Sequence, residues 1–277
     1  MRAAAAWALA IGMAWASVAG AQITPLTDGD APTDPPPLST LFADSVAMRL
    51  FPPPDVVGLY EVRLQGALAE SNARIDQAQF VVLVDRSPKV QALFLWWGGA
   101  GTVWRLVGAA SVSTGQAGRF EHFLTPMGVF EHSLDNPDFR AEGTKNELGI
   151  RGYGRKGSRV YDFGWVEAPK TWGDRAMSVM RLQMHATDPD VLEQRLGTAQ
   201  SKGCIRIHSS LNEFFDRNGI LDAAYDEELS RGRRLWMLRT DRAPTPWSGR
   251  YLVVIDTLAG QRPAWAVPPA PLRQRAK

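Results

Sequence analysis

From Gln79 onward the sequence repeats one pattern, in which short apolar runs are separated by turns that contain Gly or Pro. The runs cover residues 79–84, 90–97 and 102–112 and are rich in β-branched and aromatic residues. Such runs between tight turns are typical of consecutive strands. They predict an antiparallel meander within a mainly β fold that has a few helices (α+β), built as a β-sandwich or barrel.

Other patterns predict the remaining elements. Residues 38–50 are predicted to form a short helix capped by Ser39 or Thr40. A β-branched run at 58–64 predicts a strand. Further helices are predicted at 67–77, 189–196 and 210–229, and closing strands at 234–239 and 250–255. The Pro-rich basic tail, 263–277, is predicted to be frayed.

The first residues have the pattern of a secretory signal. A positive start at Arg2 precedes an uncharged apolar run at 3–18, and small residues at 19–21 follow it. This predicts a signal peptide at 1–21 with cleavage before Gln22. The alternative is an uncleaved anchor, but the run is short of the roughly 20 residues that a membrane helix needs. We therefore expect a periplasmic protein without stable membrane insertion after cleavage.

Composition divides the rest of the chain and excludes some partners. Proline triplets at 35–37 and 52–54 mark 22–78 as a Pro-rich linker with short N-terminal elements. The main domain is predicted at 79–240, and a C-terminal strand and tail at 241–277. The net charge is only +2, without a long Lys/Arg run, so nucleic acid is not the expected partner.

The cysteine count directs attention to one residue. Cys204 is the single cysteine, so no internal disulfide is possible. A lone thiol in an exported protein is either a reactive group or an inert space-filler, and the count alone leaves both open. A thiol becomes a strong nucleophile only when deprotonated, and an imidazole within hydrogen-bond reach can take its proton. His185 is the candidate base.

Two ordered motifs resemble the catalytic domain of the L,D-transpeptidase (YkuD-type) family. Ser201-Lys202-Gly203-Cys204-Ile205-Arg206-Ile207 follows His185 after a gap of fifteen residues, 186–200. Upstream, 112–115 reads Val-Ser-Thr-Gly and 124–130 reads Leu-Thr-Pro-Met-Gly-Val-Phe. The resemblance implies a YkuD-like β-sandwich or barrel, no cofactor or metal, and peptidoglycan stem peptides as substrates. It also implies that the backbone carbonyl of Ala186 orients the His185 ring.

The implied reaction leaves alternatives. Cys204 would form a thioester with a stem peptide and pass it to an amine, whereas a wall hydrolase or D-amino-acid exchanger would use the same site. A scaffold that has lost activity is a third possibility. The amides of Gly203 and Cys204 are candidates to bind the oxyanion of the tetrahedral intermediate. The oligomeric state is not predicted.

Three residues near the thiol are candidates for contact with substrate: Ser201, Lys202 and Arg206. Lys202 stands where the family has histidine, and its positive charge near the thiolate would lower the cysteine pKa. On a strand, Arg206 shares a face with Cys204 and would bind a carboxylate or pin the loop.

The other histidines and the aromatic residues receive more ordinary interpretations. His208 is interpreted as the start of a helix, and His122 and His132 as surface-loop residues without a metal site. Trp96, Trp97 and Trp104 are predicted to lie in the core. Four aromatic residues lie between the two motifs: Tyr153, Tyr161, Trp165 and Trp172. They could form a mobile cover over the site or belong to ordinary packing, and the sequence leaves both interpretations open.

Overall fold

The computed structural model describes residues 36–99 and 101–268. The predicted signal peptide and residues 269–277 of the tail lie outside these ranges. The helices are α1 (Ser39–Ser45), α2 (Pro54–Glu70), α3 (Ser209–Asn218) and α4 (Ala223–Ser230). The strands are β1 (Arg49–Leu50), β2 (Gln79–Asp85), β3 (Ala92–Gly99), β4 (Thr102–Ser111), β5 (Gly128–Glu131), β6 (Phe139–Arg140), β7 (Arg159–Pro169), β8 (Met177–Ala186), β9 (Ile205–Ile207) and β10 (Tyr251–Ile255).

These strands form two mixed sheets. The larger has the order β1-β4-β3-β2-β10-β5, and the smaller has the order β6-β7-β8-β9. β2, β3 and β4 pair as an antiparallel meander, as predicted. The α+β class is confirmed, and neither sheet of the described ranges closes into a barrel.

The apolar run in β2 has a simple physical cause, because this strand is buried on both faces. Val82 and Val84 face a core shared with the smaller sheet and α3, whereas Val81 and Leu83 face a second core beneath α2. A strand covered on both sides needs apolar residues at every position rather than at alternate ones. Trp96 and Trp97 are buried as predicted, but Trp104 is only partly buried.

The predicted strand at 58–64 is wrong, because these residues lie within α2. Pro54 occupies the first turn of the helix, where a proline costs no backbone hydrogen bond. Tyr60, Leu64 and Leu68, spaced by four, are the buried residues of the helix. Tertiary packing of this stripe outweighs the strand preference of the β-branched residues. The helix predicted at 67–77 is correspondingly wrong beyond residue 70.

Smaller differences also have local causes. The helix predicted at 38–50 ends at Ser45 and is followed by β1, and its N-cap residue is Leu38 rather than Ser39 or Thr40. The single helix predicted at 210–229 is two helices, because Gly219 takes the left-handed conformation that ends α3. Residues 234–239 form turns rather than a strand, and 189–196 contains only a short 3-10 helix, Glu193–Arg195.

The C-terminal strand lies inside the larger sheet. β10 pairs in parallel with β2 and antiparallel with β5. Further along, Ala266 is buried and accepts a hydrogen bond from Arg262, so the described part of the tail is packed rather than frayed. No helix in the described ranges is long and apolar enough to cross a membrane.

A cluster of buried charges, the Arg159 cluster, joins β7 to the helices. It contains Arg159, Asp138, Asp222, His132 and Asp216, each at most 3% exposed. Arg159 lies 2.6 Å from Asp138 and 2.7 Å from Asp222, measured between the paired nitrogen and oxygen atoms. Every charge in the cluster therefore has an opposite charge beside it, as burial requires.

The prediction that His132 lies on the surface is wrong. Its ring nitrogens lie 2.7 Å from the carbonyl oxygen of Leu221 and 2.8 Å from a carboxylate oxygen of Asp138. Both partners only accept hydrogen bonds, so both ring nitrogens have to carry protons. Burial alone would lower the pKa of His132, but the adjacent Asp138 carboxylate raises it above its ordinary value.

Candidate functional site

Cys204 directly precedes β9, beside the strand that carries His185. β9 pairs in parallel with β8, and His185 lies opposite Arg206 in the register. Ile205 and Ile207 are buried in the core, whereas Arg206 between them is only partly buried. Because side chains alternate along a strand, Cys204 and Arg206 lie on the other face. The paired His185 shares that face, so the two sheet partners bring the three polar residues together.

The loop before Cys204 requires glycine. Gly203 has φ +136°, and a Cβ atom at this position would lie 2.7 Å from the sulfur of Met180. The hydroxyl of Ser201 donates to the carbonyl oxygen of Cys204 and accepts from the amide of Gly203. The predicted substrate residue Ser201 therefore holds the loop in shape. The Gly203 amide is bonded to this hydroxyl, rather than free to bind an oxyanion as predicted.

The two sequence motifs meet at this loop. Gly115 forms a β-bridge with Ser201. The hydroxyl of Thr125 accepts from the amide of Gly115 at 2.9 Å and donates to the carbonyl oxygen of Gly203 at 2.6 Å. One buried threonine thus joins both parts of the upstream motif to the loop that carries the cysteine.

His185 is held by one hydrogen bond in the tautomer that a base needs. Its Nδ1 lies 2.7 Å from the carbonyl oxygen of Ala186, which is the contact that the family resemblance implies. A carbonyl only accepts, so Nδ1 carries the proton and Nε2 has a free lone pair. Burial lowers the pKa of His185 to about 4, with a smaller contribution from Arg206. The ring is therefore neutral at pH 7.

The thiol of Cys204 is partly accessible and is neutral as well. Burial raises its pKa, which the backbone amide of Gln183 and the charge of Arg206 oppose. Its sulfur lies 3.7 Å from the carbonyl oxygen of Arg181. Within the described ranges no hydrogen bond joins this sulfur to His185. The site thus rests as a thiol and an imidazole rather than as an ion pair.

Arg206 supplies the positive charge that acts on both groups. Its Nη1 donates to the carbonyl oxygen of Gln200 at 3.4 Å, and its backbone pairs with Ser113. The charge favours the thiolate of Cys204 and the neutral form of His185. Arg206 therefore pins the loop, one of the two roles suggested for it, and its charge also acts on Cys204 and His185.

Lys202 does not occupy the place that its proximity in sequence suggested. Its side chain is 64% exposed, and its ammonium group lies 3.1 Å from a carboxylate oxygen of Glu121. The charge beside the thiol is that of Arg206 instead. An exposed and paired ammonium group has little effect on a buried group, since water screens it.

This difference between the two cations predicts separate effects on thiol reactivity. We expect Arg206→Gln to slow alkylation of Cys204 by iodoacetamide at pH 8 by about three- to tenfold, because the cysteine pKa rises further. Lys202→Met should leave the rate unchanged. The measurement is the alkylation rate against pH, followed by intact-protein mass spectrometry. A shift in Lys202→Met as large as that in Arg206→Gln would contradict this assignment.

Several residues of the site escaped sequence analysis. Arg181 and Gln183 precede His185 at alternate positions on β8, and both donate to the buried carboxylate of Asp162. Their spacing of two was the available signal, because it places them on the face of His185. Asp162 had no such signal, since it comes from β7 and meets them only through strand pairing.

The four aromatic residues between the motifs have different positions. Tyr153 contacts His185 edge-on, with ring centroids 4.7 Å apart, and donates to the side chain of Gln183. Tyr161 is fully buried in β7, and Trp165 is exposed on the same strand. Trp172 packs edge-on against Phe123. Tyr153 is the member of the set in contact with His185.

The remaining histidines do not compete for the role of base. His208 caps α3 by accepting from the amide of Ser210, as predicted, and its Nε2 lies 3.1 Å from Glu193. Nδ1 of His122 lies 2.8 Å from the carbonyl oxygen of Phe120. Within residues 36–99 and 101–268, no three His, Cys, Asp or Glu side chains are placed to hold a metal ion.

Comparison with known proteins gives limited matches. No family model matches the chain, and no curated protein matches it. Among solved structures it is similar to the helical cell shape determining protein Pgp2 from Campylobacter jejuni, with 15% identity and a TM-score of 0.31. The match covers 74% of this chain and 59% of that one. The K307A mutant of the same protein gives 13% identity, a TM-score of 0.30, and coverage of 74% and 58%. The chain thus spans less than two thirds of these structures.

Proposed function

We propose that this protein is an exported cysteine acyltransferase of the L,D-transpeptidase type that acts on peptidoglycan stem peptides in the periplasm. The observation that carries the proposal is the placement of Cys204 and His185 on one face of the smaller sheet, with Cys204 directly before β9 and His185 on the adjacent β8. The fixed tautomer of His185, set by the Ala186 carbonyl, adds to it. The proposed location depends on the signal peptide predicted at 1–21.

The first half of the reaction forms a thioester. Nε2 of His185 takes the thiol proton while the sulfur of Cys204 attacks the carbonyl carbon of a stem residue. The tetrahedral intermediate collapses by breaking the C–N bond, and the imidazolium returns the proton to the departing amine of a D-amino acid. Because both groups rest neutral, we infer that proton transfer accompanies attack rather than preceding it.

The second half transfers the acyl group. The amine of another stem attacks the thioester carbon and gives its proton to His185. The carbon–sulfur bond then breaks, and the proton returns to the sulfur. Water in place of the amine would give hydrolysis, and a free D-amino acid would give exchange, so the acceptor decides the product.

The contacts that fix the loop before Cys204 support a catalytic rather than a scaffolding role. Ser201, Gly203 and Thr125 together hold Cys204 in a partly accessible position. A space-filling cysteine would need none of these contacts. The raised pKa of the thiol also suits an exported protein, because a neutral thiol oxidises and exchanges slowly.

The direct test is detection of the acyl-enzyme. Incubation with a carbapenem should add one reagent mass per chain, since the thiol opens the lactam without loss of a fragment. Cys204→Ala should show no adduct. Incubation with tetrapeptide stems and product analysis should then give cross-linked dimers. Dimers formed equally by Cys204→Ala would refute the proposal, and free tripeptide alone would indicate a hydrolase.

A further inference from the structure

Arg181 is held in an unusual setting beside the nucleophile. It lies on β8, and its Nε donates to the buried carboxylate of Asp162 at 2.8 Å. The guanidinium carbon lies 5.8 Å from the ring centroid of Trp165, a side chain that is 67% exposed. One edge and one face of the guanidinium group are therefore fixed, although the side chain itself remains 40% exposed.

The fixed edge leaves the other edge of the fork available. A guanidinium group has five N–H donors, of which Asp162 takes the one on Nε. In the described part of the chain, no hydrogen bond or ion pair engages Nη1 or Nη2 of Arg181. A planar, partly immobilised fork with free Nη donors is the group that proteins use to bind carboxylates with two parallel hydrogen bonds.

The fork lies on the same face of the smaller sheet as the reacting sulfur, because Arg181 alternates with His185 along β8. The sulfur of Cys204 is 3.7 Å from the carbonyl oxygen of Arg181 itself. The side chains of Arg181 and Gln183 donate to the same oxygen of Asp162, so both lie on the face of the site. A carboxylate bound to the fork would therefore lie on the same side of the sheet as a carbonyl attacked by Cys204.

We propose that Arg181 is a specificity-determining residue that binds a carboxylate of the acyl donor close to the carbonyl attacked by Cys204. That the carboxylate belongs to an acyl donor rests on the function proposed above, whereas the binding of a carboxylate by Arg181 does not. The carboxylate is either the C-terminal one of the departing residue or a side-chain one of the attacked residue.

The neighbouring cations fit this role less well. Arg206 is mostly buried and donates to Gln200, and Lys202 is paired with Glu121. Asp162 offsets part of the charge of Arg181 but makes no hydrogen bond at its open edge. Its two oxygens also accept from Gln183 and from the amide of Gly164, so its negative charge is directed at three donors on the protein side.

The first experiment compares two alkylating reagents that differ in charge. For the full-length protein, we measure the rates at which iodoacetate and iodoacetamide modify Cys204. Their ratio cancels any change in thiol pKa or access. We expect Arg181→Gln, whose amide can still donate to Asp162, to lower the iodoacetate-to-iodoacetamide ratio by about three- to tenfold. Lys202→Met removes the same formal charge and should leave the ratio unchanged.

A second measurement uses only the wild-type protein, so it does not depend on the folding of a variant. D-Alanine should slow the modification of Cys204 by iodoacetamide, whereas D-alaninamide at the same concentration should not. Equal protection by both compounds, or none by either, would overturn the proposal. So would an unchanged reagent ratio in a folded Arg181→Gln protein.

Peptide donors distinguish the two carboxylates. Tetrapeptides amidated at the C-terminus or at the side chain are compared with the free acid, and Arg181→Gln should raise KM for the free acid with a smaller effect on kcat. The amidation that abolishes this difference identifies the bound carboxylate. If neither amidation changes KM in the wild type, the proposal fails. If the reagent ratios change as expected but the protein transfers no peptide, the proposed function is refuted, whereas carboxylate binding by Arg181 stands.

Discussion

Replacing His185 by alanine is expected to lower kcat/KM for peptide transfer by about 10²–10⁴-fold, the usual contribution of a positioned base. The reason is that Cys204 is a neutral thiol in the resting protein and needs a base to take its proton. Burial raises the pKa of the Cys204 thiol, so without an acceptor at Nε2 almost no thiolate forms at pH 7. His208 cannot substitute, because both of its ring nitrogens are already engaged.

The pH dependence gives a second readout of the same residue. Because the pKa of His185 lies at about 4, its imidazole accepts protons throughout the range above that value. The acid limb of kcat/KM should therefore fall near pH 4 rather than near 6.5. His122→Ala, which removes another histidine ring, serves as the control and should keep the wild-type profile. An acid limb near pH 6.5, or activity retained in His185→Ala, would show that His185 is not the base.

The largest expected effect on stability comes from Arg159→Met. Removing one partner from a buried ion pair typically costs about 3–5 kcal/mol, because the remaining charge is left without compensation. Here the fully buried carboxylates of Asp138 and Asp222 would each lose one ion-pair partner and keep only His132 and Arg242, respectively. In a domain of this size such a loss lowers Tm by roughly 10 °C.

The matched control is an arginine whose ion pair lies at the surface. Arg231 is 67% exposed, and its ion pair is with Glu228 within the same turn. Arg231→Gln should leave Tm unchanged, since exposed pairs contribute little. Thermal and urea unfolding of both variants provide the measurement. Equal Tm values for Arg159→Met and wild type would mean that the cluster contributes no net stability.

The part of the fold that could be predicted from sequence is the part fixed by local pattern. β2, β3, β4 and β10 were predicted within two residues because each is an apolar run bounded by turns. α2 was missed because its buried stripe depends on the sheet beneath it, whereas its β-branched residues favour a strand. Local preference is informative only where packing agrees with it.

The candidate site divides in the same way. Cys204 and His185 were singled out by their chemistry and by the two motifs, and Ala186 by the family resemblance alone, and the structure brings the three residues together at adjacent strands. The neighbours of the thiol could not be predicted from the sequence, because Arg181, Gln183 and Asp162 meet only through the pairing of β7 with β8. The role assigned to Lys202 failed for a related reason, since proximity in sequence says nothing about the direction of a long, flexible side chain.

The position of β10 between β2 and β5 also determines when the fold can be completed. Residues 86–250 separate β10 from β2, and pairing across such a distance is slow because a long loop has to close first. Until residues 251–255 have been synthesised, β2 and β5 each have an unpaired edge, which exposes the incomplete chain to aggregation. Closure of the sheet is therefore delayed until β10 has been synthesised.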